Sequence, residues 1–394
     1  MDGEDCMKIT IVNNYYPPNK SVIAESASDL AMQLELDGFK VHIVHDDSDY
    51  AGGGAQGTQV GICHPIKSVY SGKNKFIRLF SSQIEGRRLI KKAKEVNSDV
   101  TIVMTSPPLL NYWAGSLFSK SGHKWIYWTM DIYPEGFNSA GLISENNPIF
   151  KYFLKKSYQS PPNGLIALGE IQAKYLEEKF DKKLPKAILP CGIFLHQNKS
   201  QKSNNSTPSW KTEPNKIYFG YIGNLGEAHS VEFVKEMIDA IDPDKHHLIL
   251  VVYGSKAHII KDYLHDKTQG ITLLNYVPRE DLKYIDVHLT SLKANWVNIC
   301  VPSKMLSAVH QGSVFLFCGV EDCDSWQYLS EAGWLIQDNA EIKDQIQSFL
   351  KSVNHEMIAS KRENCKELPS TLYDNTVNAY RRIRELVNEI QYTA

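Results

Sequence analysis

Short apolar runs alternate with stretches of helical periodicity through the first half of the chain. The apolar runs are KITIV (8–12), KVHIV (40–44), DVTIVM (99–104), KWIYW (124–128) and GLIAL (164–168). Between them, residues 24–36 and 172–180 carry apolar side chains at the three- and four-residue spacing of a helix. This order predicts βαβ units and a parallel sheet.

The pattern stops and then restarts in the second half. Residues 197–215 are rich in Ser, Asn and Lys, which predicts a linker. Apolar runs resume at 216–222, 248–254, 271–277, 286–292 and 313–319. We therefore predict an α/β protein of two Rossmann-like, doubly wound domains, 1–196 and 216–370, facing across a cleft that holds the ligand. A final amphipathic helix in 371–394 is expected to pack back on the first domain.

Length and composition narrow the class of protein. The 394 residues exceed one ordinary core, and a formal net charge of −2 argues against general binding of nucleic acid. No apolar run reaches the roughly 18 residues that cross a bilayer, and the start, MDGEDCMKIT, does not resemble a signal peptide, so a cytoplasmic protein is expected. The seven cysteines are scattered and form no CxxC pair, so no metal site is expected.

Two segments of the second half could bind an anion. FGYIGNLGEAHS (219–230) reads as a strand, a glycine turn at 223–226 and a helix start. VPSKMLSAVHQG (301–312) reads as a helix with Pro302 at its first position and Lys304 in its first turn, where the helix dipole favours an anion. A turn that needs glycine only for its geometry, and a solvated surface lysine, are the alternatives. Two such helix starts in one domain favour a diphosphate.

Carboxylates and hydroxyls follow two strands of the first half. KWIYWTMDIYPEGF (124–137) leads from a strand into Asp131 and Glu135, and a carboxylate there could accept a proton from a hydroxyl of the substrate. MTSPPLLNYW (104–113) places Thr105 and Ser106 after another strand. A helix cap is the alternative for both segments.

These segments together resemble glycosyltransferase family 4, of the GT-B fold, and especially bacterial members that build surface polysaccharides. The resemblance rests on six motifs in order: NNYYPP (13–18), TSPP (105–108), MDIYPE (130–135), GYIGNLG (220–226), YVPREDL (276–282) and VPSKMLSAVHQG (301–312). It covers nearly the whole chain. It implies a retaining transfer of sugar from a nucleoside diphosphate, UDP being expected, without a metal or other cofactor.

The resemblance also implies roles for single residues. Asp131 would be the base, with Glu135 a second catalytic candidate, and the acceptor would be a glycan or a lipid-linked saccharide. The donor-binding candidates are Gly223, Asn224, Leu225, Ser303, Lys304 and Ser307, and the candidates for the acceptor side or the cleft are Tyr16, Ser21, Thr105, Ser106 and His229. Two positions depart from the family pattern, because Ser307 replaces a glutamate that would reach the donor ribose and Ser21 with Val22 replaces a Gly-Gly loop. They favour, as an alternative, a catalytically silent binding scaffold; a nucleotide-sugar epimerase is a further alternative.

A basic stretch in the first half suggests a membrane contact. Residues 73–94 carry eight Lys or Arg against one Glu, with Phe76, Ile77, Phe80 and Ile84 at helical spacing. Such a helix could lie on an anionic membrane surface, so the protein would be cytoplasmic and peripheral on the inner face. An ordinary amphipathic helix packed on the sheet is the alternative.

Overall fold

Two parallel sheets organise the chain. The computed structural model describes residues 6–47, 57–69, 75–195, 207–265 and 267–392, and the backbone alone within 75–80. Over these residues the chain forms two compact units. The first comprises residues 1–196, 298–300 and 376–394, and the second comprises 197–297 and 301–375. Of the predicted linker, 197–206 lies outside the described residues, and 207–215 contains no helix or strand.

The sheet of the first unit has seven strands in the described residues, in the order β3-β2-β1-β4-β5-β6-β7, and all of them are parallel. The strands are β1 (Lys8–Val12), β2 (Lys40–Asp46), β3 (Ile62–Ile66), β4 (Val100–Val103), β5 (Trp125–Trp128), β6 (Gly164–Ala167) and β7 (Lys186–Ile188). The five strands predicted from apolar runs are confirmed. Both sides of this sheet are covered, which explains why its central strands are almost continuously apolar.

Helices connect these strands. They are α1 (Val22–Leu36), α2 (Lys75–Val96), α3 (Leu110–Phe118), α4 (Glu135–Ser139), α5 (Pro148–Tyr158) and α6 (Glu170–Phe180). Gly86 lies where α2 approaches α3, since a Cβ atom at this position would stand 3.0 Å from Cδ1 of Trp113. The glycine that weakens α2 as an isolated helix therefore permits a close helix contact.

The sheet of the second unit has six parallel strands in the described part of the chain, in the order β10-β9-β8-β11-β12-β13. They are β8 (Ile217–Asn224), β9 (His246–Tyr253), β10 (Ile271–Leu273), β11 (Val287–Ser291), β12 (Val314–Gly319) and β13 (Gly333–Gln337). Its helices are α7 (Val231–Ala240), α8 (Ala257–Tyr263), α9 (Ser303–His310), α10 (Asp324–Leu329), α11 (Ile342–Ser352) and α12 (His355–Asn364). The run at 271–277 was expected to be one strand, but β10 ends at Leu273 because no neighbouring strand pairs with the rest.

The last helix, α13 (Leu368–Tyr392), supplies residues to both units, and from Thr376 onward it belongs to the first. Its Ile383, Leu386, Val387 and Ile390 are buried. Gly164 of β6 lies under this helix, and a Cβ atom there would stand 2.9 Å from Cδ1 of Ile390. The apolar side of α13 thus completes the core of the first unit.

Each sheet contains one point where the direction of strand order reverses. In the first unit this point lies between β1 and β4, and in the second between β8 and β11. The connections that leave the two strands diverge there, so the carboxyl ends border a crevice that binds ligands in open α/β sheets. A ligand site is therefore expected at the ends of β1 and β4 in the first unit and at the ends of β8 and β11 in the second.

Candidate functional site

Lys304 lies beside the strand end where the second sheet reverses. It is the second residue of α9, and Pro302 is the N-cap and not the first helical residue as predicted. Its Nζ atom donates to the carbonyl oxygen of Asn224 at 2.5 Å and to Oη of Tyr221 at 3.0 Å. The same atom stands 4.2 Å from the centre of the Tyr221 ring, in a cation–π contact. Lys304 therefore bridges α9 and the end of β8.

The partners of Lys304 are all uncharged. No ion pair in the described part of the chain includes it, and burial lowers the pKa of its ammonium group to about 7. Lys211 of the same unit makes a useful comparison, because it also sits over a tyrosine ring, 4.8 Å from that of Tyr218, but pairs with the carboxylate of Asp286 at 3.4 Å. A half-buried cation without a counter-charge is costly unless an anion binds beside it.

Gly223 leaves room for the lysine. The sequence predicted a tight turn at 223–226, but Gly223 and Asn224 are the last two residues of β8, paired with Val252 and Tyr253. Gly223 has φ +129°, and a Cβ atom there would stand 3.0 Å from Cε of Lys304. The glycine is thus needed for the passage of a side chain as well as for its backbone conformation.

The other candidates near this strand end differ in what they offer. Leu225 is fully buried, and its amide donates to the carbonyl oxygen of Tyr253 at 2.7 Å, so neither its side chain nor this N–H group faces a ligand. Ser303 is the first residue of α9 and Ser307 lies one turn further, both half-buried. No side chain caps α9, so the amides of its first turn remain available to an anion.

His229 is buried next to Lys304. Its Nδ1 atom lies 2.5 Å from the carbonyl oxygen of Ser291, at the end of β11, so Nδ1 carries the proton and Nε2 is an acceptor. Burial, together with the charges of Lys304 and Lys293, lowers the pKa of His229 to about 3. The imidazole is therefore neutral at physiological pH.

Two residues of this region were not found from the sequence, Tyr221 and Lys293. Tyr221 is a fully buried strand residue of a type that usually fills a core. Lys293 lies two residues after the end of β11, and its amide donates to the carbonyl oxygen of Ala228 at 2.9 Å. Burial and the neighbouring Lys256 lower the pKa of Lys293. Its position just after a buried strand was the signal that could have found it, as it was for Asp131.

Asp131 is the half-buried carboxylate that follows β5 in the first unit. Burial raises its pKa to about 6, and among the described residues it makes no hydrogen bond or ion pair. The next residue, Ile132, donates its amide to the carbonyl oxygen of Ile299 at 3.0 Å, which ties the loop to the short segment 298–300. A carboxylate with these properties can be ionised near neutral pH and still accept a proton.

Glu135 lies in the interior of the first unit. Its Oε1 atom accepts hydrogen bonds from the hydroxyls of Tyr158 at 2.6 Å and Tyr175 at 3.1 Å, and its buried Oε2 atom has no partner. Burial raises its pKa. Burial also raises the pKa of Tyr127, and the negative charges of Glu135 and Asp131 raise it further.

The remaining candidates surround the end of β1 and β4. The amide of Asn14 donates to the carbonyl oxygen of Ser106 at 2.8 Å, which joins the two loops where the first sheet reverses. Thr105 is buried and Ser106 half-buried there. Tyr16 is fully buried and its hydroxyl donates to the backbone oxygen of Val60 at 2.7 Å. Ser21 is the N-cap of α1, its Oγ accepting from the amide of Ala24 at 3.1 Å. Tyr16 and Ser21 therefore hold the segment between β1 and α1 in place.

Within the described residues, no three His, Cys, Asp or Glu side chains lie together in an arrangement that could hold a metal ion. None of the helices described is both long enough and apolar enough to cross a membrane.

Two Rossmann-like parallel-sheet units are the architecture of the GT-B fold of glycosyltransferases. Sucrose-phosphate synthase of Thermosynechococcus elongatus has the same fold, with a TM-score of 0.73 over 98% of this chain and 99% of that chain, at 12% identity. HepE of Anabaena, solved in complex with UDP and glucose, matches with a TM-score of 0.67 over 97% of this chain and 100% of that chain, also at 12% identity.

The sequence comparison points to the same class. The chain is 21% identical over 253 residues to the "Probable glycosyltransferase WbjE" of Pseudomonas aeruginosa, a match that spans 59% of this chain and 61% of that protein. No protein-family model matches the chain. The protein is therefore glycosyltransferase-like in fold and in sequence.

Proposed function

We propose that the protein is a retaining glycosyltransferase, of the family 4 type, that transfers a sugar from a UDP-linked donor to an acceptor hydroxyl. The observation that carries this proposal is Lys304, a half-buried cation whose partners in the described chain are all neutral. A diphosphate supplies the missing charge. The six motifs support the family and the retention of configuration, and the UDP held by HepE supports uridine as the base.

The second unit binds the donor in this proposal. The ammonium group of Lys304 and the first-turn amides of α9, which Ser303 begins, contact the two phosphates, and Gly223 and Asn224 border them. These groups offset the charge of the leaving diphosphate, so the reaction needs no metal ion. Ser307 contacts the ribose with a neutral hydroxyl. Lys293 adds a second positive charge beside His229.

The first unit binds the acceptor, and Asp131 takes the proton. The bond between the anomeric carbon and the diphosphate oxygen breaks, and a bond forms between that carbon and the acceptor oxygen on the same face of the sugar, which retains the configuration. The proton of the acceptor hydroxyl moves to the carboxylate of Asp131. Neutral His229 accepts a hydrogen bond from a donor hydroxyl through Nε2. Thr105 and Ser106 border the acceptor, which we propose is a glycan or a lipid-linked saccharide used for surface polysaccharide. Glu135 positions the loop after β5 through its hydrogen bonds with Tyr158 and Tyr175.

Lys304 and Lys211 provide a matched pair of variants for the test. We expect Lys304→Met to weaken UDP binding at least tenfold, about 1.4 kcal/mol, because the anion loses its counter-charge. Lys211→Met removes a lysine in a similar setting and should leave UDP affinity within about twofold, although it should destabilise the unit because Asp286 loses a partner. Isothermal titration of UDP into the full chain measures both. Unchanged affinity in Lys304→Met would overturn the donor assignment.

Asp131→Asn separates binding from chemistry. The variant should bind UDP like the parent protein, since Asp131 lies in the first unit, and should lose sugar transfer from a panel of UDP-sugars. The readouts are UDP release and the mass of the acceptor product. If the parent protein binds UDP tightly but releases none from any donor, the silent scaffold replaces the enzyme, and a changed sugar still linked to UDP would identify an epimerase.

A further inference from the structure

Three helices of the first unit form one layer on one side of its sheet. Helix α2 connects β3 to β4, α3 connects β4 to β5, and α5 lies between β5 and β6, so all three crossovers run in the same direction along the sheet. Right-handed crossovers in one direction place their helices on the same side. Helix α3 contacts both α2 and α5. The outer sides of these helices therefore face the same way.

Helix α5 is apolar on its outer side as well as on its inner side. Phe150 and Tyr158 are buried against the unit, whereas Ile149 is 61% exposed and Tyr152 is 52% exposed. Ile149 and Tyr152 are three residues apart and so lie on one stripe of the helix, which Lys156 continues. A core helix needs only one apolar side, so this second stripe is more apolar than the packing of the unit requires.

Basic side chains accompany the exposed apolar ones. Lys151 and Lys155 of α5 are exposed, and so are Arg87, Arg88 and Lys91 of α2. None of these five makes an ion pair with a described residue. On α2 they flank Ile84, which is 53% exposed. Of the basic helix predicted at 73–94, residues 73 and 74 and the side chains of 75–80, Phe76, Ile77 and Phe80 among them, lie outside the described residues, and Ile84 is exposed.

Aromatic contacts join the two basic regions. The guanidinium of Arg87 lies 5.9 Å from the ring of Trp113 on α3. The ring of Tyr112 stands 4.8 Å from Trp113 and 5.4 Å from Phe153, which in turn lies 5.5 Å from Tyr152. The surface from α2 across α3 to α5 is thus continuous.

We propose that this outer face of α2, α3 and α5 docks on an anionic lipid bilayer. Exposed Ile149 and Ile84 would enter the boundary of the acyl chains, and Tyr152 would lie at the headgroup level, where aromatic residues concentrate. The Lys and Arg heads, which make no ion pair with a described residue, complement anionic headgroups while their aliphatic stems cover apolar surface. The charge complementarity favours a lipid surface, on which this face of the first unit rests. The proposal concerns the first unit alone and stands whether or not the second unit binds UDP.

Flotation of the full chain with vesicles tests the proposal. We expect binding to vesicles of phosphatidylcholine with about 30% phosphatidylglycerol, and not to phosphatidylcholine alone, with the bound fraction falling as salt is raised. Ile149→Ser/Tyr152→Ser should reduce binding at least tenfold. The matched control is Leu36→Ser/Tyr276→Ser, whose side chains are 75% and 60% exposed on α1 and on the second unit. The α1 crossover runs in the opposite direction, so α1 lies on the other side of the sheet.

Two further double variants, each removing two lysines, test the contribution of charge. Lys151→Gln/Lys155→Gln should weaken binding about tenfold or more, since each basic residue near such a surface strengthens binding about fivefold. Lys343→Gln/Lys351→Gln, both exposed on α11, should not. Absence of binding to the anionic vesicles, or equal losses in test and control variants, overturns the proposal. So does a dimer that the Ile149 variant abolishes without any vesicle binding. Urea unfolding followed by circular dichroism should give the same transition in all four variants as in the parent protein, which shows that they remain folded.

Discussion

At the scale of single residues, Gly223 shows how one position serves a neighbour far away in the chain. The sequence indicated a glycine that shapes a turn, whereas the structure places it inside a strand, in contact with the stem of Lys304. Its positive φ and the missing Cβ atom allow the lysine to reach the carbonyl oxygen of Asn224. Gly223 is therefore needed for the position of Lys304, and we expect the two residues to act together.

Gly223→Ala should lose UDP binding along with stability. A Cβ atom would crowd Lys304, and φ +129° is strained for alanine, so we expect a loss of about 1–3 kcal/mol in the free energy of unfolding and at least tenfold weaker UDP binding. Denaturant unfolding and UDP titration measure the two effects.

Gly312→Ala is the control for the backbone strain. Gly312 also has a positive φ, +77°, but no atom lies within 4 Å of a Cβ at that position. This variant should lose stability while keeping its affinity for UDP. Equal UDP affinities in the two alanine variants would contradict the role given to Gly223.

At the scale of elements, burial decided what the sequence could predict. The central strands are buried on both sides and appear as apolar runs, whereas β3 (ICHPI) is an edge strand with polar residues and β7 has only three residues, so neither gave a signal. The position of Lys304 in the first turn of a helix could be predicted from the sequence because helix ends carry local signatures. The role of Tyr221 could not be predicted, because only the tertiary structure distinguishes a tyrosine that contacts a lysine from one that fills a core.

The attachment of α13 to α1 is an element-scale contact that can be measured. The hydroxyl of Tyr380 donates to Oδ2 of Asp29 at 2.6 Å, and both residues are buried. Tyr380→Phe should lower the free energy of unfolding by about 1.5–3 kcal/mol, because a buried hydrogen bond to a charged group is lost. Urea unfolding followed by circular dichroism measures the change.

The same two elements offer a control at the surface. Arg384 of α13 pairs with Asp37 at the end of α1, at 3.1 Å and partly exposed. Arg384→Ala should cost less than about 1 kcal/mol, since solvent screens such pairs. If Arg384→Ala costs as much as Tyr380→Phe, the buried hydrogen bond is not what attaches the helix.

At the scale of the whole molecule, the chain alternates between its two units. It leaves the second unit for residues 298–300, returns to it at 301, and crosses again near 376. In the segment 298–300, the carbonyl oxygen of Ile299 accepts a hydrogen bond from the amide of Ile132, next to Asp131. The chain then continues into α9, which carries Lys304. Residues 298–304 therefore include both a contact with the loop of Asp131 and the first turn of the helix that carries Lys304.

Both ionisable groups should appear in one pH profile if they act in the same turnover. Asp131, with its pKa raised to about 6, becomes an active base as the pH rises through that value, so kcat/KM should increase from acid pH. Lys304, with its pKa lowered to about 7, loses its charge as the pH rises further, so kcat/KM should fall again. The expected profile is a narrow bell between these two values, measured as UDP release at low donor concentration. Lys304→Arg, whose guanidinium stays charged, should keep the acid limb and lose the alkaline one. Asp131→Asn should abolish turnover while its UDP affinity still falls above pH about 7. An alkaline limb that persists in Lys304→Arg would assign that ionisation to another group and remove Lys304 from the donor site.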